Sequence, residues 1–64
     1  MTGTVKFFNE SKGYGFITND ESGEDIFVHV TSLQGLRLNE GDKVSYNEED
    51  GKKGKIASAV ELLD

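Results

Sequence analysis

The chain has 64 residues, enough for one domain and no more. It has no cysteine and a single histidine, which excludes a disulfide framework, a thiolate metal site and a histidine-based metal site. A net charge of −5 argues at first sight against a nucleic-acid partner, and apolar runs of only a few residues exclude a transmembrane helix.

Short segments of alternating or β-rich character recur along the chain, separated by Gly, Asn, Asp and Ser. The first predicted strand is Thr4 to Phe8, followed by turn chemistry in Glu10-Ser11-Lys12-Gly13. The second is Tyr14 to Thr18, and a turn is expected across Asn19 to Glu24. The third runs from Asp25 to Val30, with Ile26, Val28 and Val30 on one face and Phe27 and His29 on the other. Thr31 to Asp42 is the long connection, in which Thr31 or Ser32 caps a single helical or 3₁₀ turn and Gly41-Asp42 enters the next strand. The fourth strand is Lys43 to Asn47 and the fifth Lys55 to Leu62, with Asp50-Gly51 suited to a hairpin turn between them. No helix-length apolar period, repeat or linker interrupts this series, so residues 1–64 read as a single domain. Five short strands hide their edges by curling or closing, which points to a small all-β barrel.

The charges are unevenly placed. Lys6 and Lys12 are the only cations in the first 36 residues and flank an aromatic-rich stretch. The acids cluster at Asp20-Glu21, Glu24-Asp25 and Glu48-Glu49-Asp50, which read as turn positions. A modest electropositive face on an acidic protein is therefore available, and its binding to polyanions would rest more on stacking than on charge.

Of four Phe and two Tyr, all but Tyr46 fall in the first 27 residues. Tyr14 and Phe16 are two apart on one strand and share a face, with Gly13 and Gly15 beside Tyr14 keeping a planar ligand uncrowded. Ile17, of opposite parity, points to the core. An ordinary half-solvated third strand would set Lys, Thr or Glu opposite its β-branched residues, whereas this one sets Phe27 and His29. Rings left in water suit a ligand with flat faces of its own, and nucleobases are the commonest such ligand. The competing assignment is a protein-interaction module whose rings form an apolar patch. Salt separates the two, because nucleic-acid binding weakens as salt rises and an apolar contact does not.

The same residues resemble the bacterial cold-shock proteins. Gly3-Thr4-Val5-Lys6-Phe7-Phe8-Asn9 is similar to the family's opening strand, Lys12-Gly13-Tyr14-Gly15-Phe16-Ile17 to its first ribonucleoprotein motif and Asp25-Ile26-Phe27-Val28-His29-Val30 to its second. Glu40-Gly41-Asp42-Lys43-Val44 resembles the entry to the fourth strand and Gly54 to Val60 the fifth, so the likeness covers essentially the whole chain. It implies a five-stranded antiparallel oligonucleotide-binding (OB) barrel. It also implies binding of single-stranded RNA and DNA with low sequence selectivity, and an RNA-chaperone-like role that disfavours RNA secondary structure and influences transcription or translation. By the same resemblance, Tyr14, Phe16, Phe27 and His29 stack on bases, and Phe7 stands where the family usually has tryptophan, with Phe8 after it. Lys6 and Lys12 meet backbone or bases, Asn9 and Asp25 hydrogen-bond base edges, and Lys53 matches a basic residue of the family.

Four positions depart from the family pattern. Phe7 keeps a ring but has less area than tryptophan and no N–H donor. Val30 replaces a further exposed phenylalanine, the Gln34 to Leu38 stretch is short and without an aromatic, and no proline follows Gly54. The first three are expected to lower affinity or shorten the site without changing the binding mode. Strict alternation from an inward Val5 conflicts with the resemblance, since it turns Phe7 inside and Phe8 outside; a bulge near Lys6 to Phe8 reconciles them. Phe7 and Phe8 are both expected at the site.

Catalysis is not expected. His29 is the one candidate general base near neutral pH, and Asp25, four residues away on the same strand, is about 13 Å distant along the backbone. No nucleophile motif is present, and Gly13-Tyr14-Gly15 is too short to cradle a phosphate. The expected protein is a reduced, cytoplasmic monomer without a secretory signal. No cofactor, metal, membrane or small-molecule partner is expected.

Overall fold

A computed structural model describes residues 1–33, 35–51 and 54–63. The strands are β1 (Thr2–Asn9), β2 (Tyr14–Asn19), β3 (Asp25–His29), β4 (Lys43–Gly51) and β5 (Gly54–Leu62), with a 3₁₀ turn at Val30–Ser32. They close into a barrel in the order β1-β2-β3-β5-β4, and β4 returns to β1 through Thr2↔Ser45, Gly3↔Val44 and Thr4↔Lys43. The expected all-β, five-stranded barrel of OB type is therefore the fold. Its strands are not antiparallel throughout, however, because β3 and β5 run parallel at Phe27↔Ile56. An odd number of strands cannot alternate in direction all the way around a closed ring, so one seam has to be parallel.

Parity builds the wall that carries the rings. β2 turns Gly15, Ile17 and Asn19 inward and Tyr14, Phe16 and Thr18 outward. β3 buries Ile26 and Val28 and turns Asp25, Phe27 and His29 outward. The expected core position of Val30 is wrong. The extended backbone ends at His29, so alternation ends there too, and Val30 lies in the 3₁₀ turn with 44% of its surface exposed. The cap of that turn is His29 rather than Thr31 or Ser32: its Nδ1 accepts from the Thr31 backbone N–H at 3.3 Å.

The long connection is part of the core, to which it contributes the buried Leu33 and Leu38. It ends as expected at Gly41, whose φ of +91° suits glycine and whose N–H donates to the Val5 carbonyl at 2.8 Å. Asp50-Gly51 does not form the β4–β5 turn. Both residues lie in the ladder, opposite Lys55 and Gly54, and Glu48-Glu49-Asp50 is accordingly strand rather than turn. Tyr46, the one aromatic outside the N-terminal cluster, is buried in the barrel with 2% exposure. Its hydroxyl donates to Glu48 Oε2 at 3.2 Å, and the same carboxylate oxygen accepts from Asn19 Nδ2 at 2.7 Å. Asn19, the one buried polar or charged residue among those described, is thereby satisfied, since its Oδ1 also accepts from the backbone of Glu21 and Ser22.

Candidate nucleic-acid interface

The outer face of β1–β3 carries three cross-strand rows. In the middle row Phe7 pairs with Phe16 and Phe16 with Phe27. On one side lies Asn9–Tyr14–His29, and on the other Thr4–Thr18–Asp25. Ring centroids are 5.6 Å apart for Phe7–Phe16, 5.7 Å for Phe16–Phe27, 5.8 Å for Tyr14–Phe27 and 6.4 Å for Phe27–His29. The rings form one continuous apolar surface, with Phe7 and His29 exposed and the others half-buried. At these separations neighbouring rings hold one another in place, each pair contributing about 0.5–1.5 kcal/mol beyond its area.

Phe7 reaches this surface through a bulge. The β1–β2 register shifts between Val5 and Phe7, so Lys6 is the extra residue and Phe7 faces outward opposite Phe16. Phe8 falls opposite Gly15 and is half-buried against the core, away from the five rings. Gly15 makes this possible: a Cβ there would collide with the Phe7 carbonyl and the Phe8 ring. Gly15 therefore makes room for β1 rather than for a ligand. Gly13 serves the turn, with φ +76° and an N–H bonded to the Asn9 carbonyl at 2.8 Å.

The whole of residues 1–63 matches the family model described as the 'Cold-shock' DNA-binding domain. The chain belongs to the cold-shock domain family. It is 54% identical to "Cold shock protein CspV" of Vibrio cholerae, over 98% of this chain and 94% of that one. It is 52% identical to "Cold shock-like protein CspG" of Shewanella violacea (97% and 93% covered) and 47% identical to "Cold shock-like protein CspG" of Escherichia coli K12 (98% and 94% covered).

Polar groups border the rings of this cold-shock domain. At the β1–β2 turn Asn9 Oδ1 accepts from the Lys12 backbone N–H at 3.1 Å, which leaves its amide nitrogen as the part able to meet a ligand. Lys12 is exposed and forms no ion pair among the described residues. At the opposite border Lys6 Nζ lies 2.9 Å from Asp25 Oδ2, while Thr18 donates to Asp25 Oδ1 at 3.1 Å. The Lys6 bond first and the Thr18 bond second hold the Asp25 carboxyl below the usual carboxylate range. Lys53 lies outside the described residues.

Two cations missed in the sequence stand nearby. Lys43 bonds Thr4 Oγ1 at 2.7 Å and approaches Asp20 at 3.4 Å, brought there by the β1–β4 pairing. Arg37, on the long connection, lies 3.9 Å from Glu10 beside the β1–β2 turn. Neither has a local signal, because each placement depends on contacts distant in sequence. Among the described residues no group of His, Cys, Asp or Glu side chains converges to hold a metal ion, and no helix is long and apolar enough to cross a membrane.

Proposed function

We propose that this cold-shock domain binds single-stranded RNA and DNA with low sequence selectivity, acts as a monomer in the cytoplasm, and disfavours RNA secondary structure with an effect on transcription or translation. The observation that carries this reading is the continuous ring surface of Phe7, Tyr14, Phe16, Phe27 and His29, in a family described as DNA-binding. Unpaired bases stack on such a surface whatever their identity, because every base has a π-face. A duplex offers its bases only to each other, so it gains little from the same rings. Lys12 and the Asn9 amide supply backbone and base-edge contacts at the turn, and the acidic remainder of the chain keeps the charge contribution small.

Fluorescence anisotropy of labelled oligothymidine, single-stranded and duplex, at two salt concentrations tests this. The expected result is single-strand affinity of about −8 to −10 kcal/mol. The expected log–log salt slope is roughly −1.5 to −2, from two or three neutralised phosphates, with weak duplex binding. A folded protein that binds no single strand would overturn the proposal and turn attention to a protein partner for the rings.

A further inference from the structure

Lys6 is the residue that the β1 bulge adds to the outer face, and it stands next to the ring row. Its ammonium is already paired, resting on Asp25 at 2.9 Å, so a phosphate has to compete with the carboxylate for it. Asp25 is positioned for this by the register: it lies opposite Thr18, whose hydroxyl binds the other carboxylate oxygen. Each carboxylate oxygen thus has one partner within the protein. Lys43, bonded to Thr4 of the same border, is likewise matched with Asp20, so a second cation on this side of the rings is also paired with a carboxylate. Lys12, at the opposite side, forms no such pair among the described residues.

We propose that Asp25 is a specificity-determining residue that occupies Lys6 and so withholds it from phosphates, making binding depend on unstacked bases. This rests on the single-strand reading above and names what enforces it. A ligand with bases to stack gains from the rings whether or not Lys6 is released. A duplex or other polyanion, which has charge alone to offer, must first displace Asp25. The pair is exposed on both sides and costs little to open, so it biases selection without blocking the site.

The test is a double-mutant cycle of wild type, Asp25→Asn, Lys6→Gln and the double variant, each confirmed as folded by circular dichroism. Each is titrated against single-stranded oligothymidine and a duplex of equal length at low and high salt. Asp25→Asn is expected to tighten binding at low salt by about two- to fivefold, more for duplex than for single strand, and to steepen the salt slope by about 0.7 for the single strand and about 0.9 for the duplex. In the Lys6→Gln background the same substitution should change neither quantity. Weaker single-strand binding by Asp25→Asn would overturn the proposal and identify the carboxylate as a base acceptor. A gain that persists without Lys6 would overturn it as well, since a general loss of negative charge would then explain the effect. Failure of wild type to bind single strands would refute the parent reading, which the cycle distinguishes from a failure at Asp25 alone.

Discussion

Phe16 touches three other rings, Phe7, Tyr14 and Phe27, and sits in the middle of the central row. Phe16→Ala should therefore lower single-strand affinity by about 1–3 kcal/mol while leaving the salt slope nearly unchanged, because no charge is removed. Lys12→Gln should do the reverse, flattening the slope by about 0.7 at a smaller cost in affinity; titrations at two salt concentrations read both. Tyr46 supports a different prediction. Burial first, and the Glu48 bond second, push its hydroxyl up to about 12 from the ordinary 10.0. The folded state retains the neutral phenol, so this stability is intact below pH 10.0 and is lost as pH rises from there through about 12. At about 1.4 kcal/mol per unit, the loss is on the order of 2–3 kcal/mol. Tyr46→Phe lacks that contribution, so denaturant melts should show its stability gap from wild type narrowing across this range.

At the scale of elements, bulges position what alternation alone would misplace. The extra residue Lys6 sets Phe7 outward and Phe8 inward, and the tight approach of β1 to β2 at Gly15 accommodates the Phe8 ring. Gly15→Ala should cost more than about 2 kcal/mol, since the obstacle includes backbone that cannot move aside; thermal melts would show it, and a tolerated alanine would mean that β1 is free to shift. A second irregularity lies between Ser45 and Asn47, where the β4–β5 register shifts. Across from it Ala59 adopts φ +50°, a left-handed conformation that penalises a Cβ. Ala59→Gly should stabilise the domain by roughly 0.5–1 kcal/mol in the same melts. The strands themselves were legible because turn residues punctuate them. The β1 bulge followed only from setting strand parity against the family likeness, and the β4–β5 irregularity had no signal at all, because a bulge is decided by what faces it across the sheet.

For the whole molecule, salt should act with opposite signs on folding and on binding. The chain carries a net charge of −5 in a small barrel, so screening relieves self-repulsion and the melting temperature should rise between low and moderate salt. Nucleic-acid affinity should fall over the same interval. Parallel melts and titrations in one salt series check this, and a melting temperature that falls would show that the surface ion pairs outweigh the excess negative charge.

The five strands, the outward rings of β2 and β3, and the family were legible in the amino acids alone, because each depends on short-range parity and on motifs a few residues long. The parallel seam was not part of that reading, because it arises only when closure sets β3 beside β5. Tertiary structure decided the rest. Val30 left the core because the chain turns at His29, and Asp50-Gly51 stayed in a strand because the β4–β5 ladder runs through Asp50↔Lys55 to Gly51↔Gly54. Phe8 turned away from the rings because Gly15 gives it room beside the core. Asp25 met Lys6 across two strand pairings, a contact between residues 19 apart in the chain. Such contacts depend on register between segments distant in sequence, which local pattern does not specify.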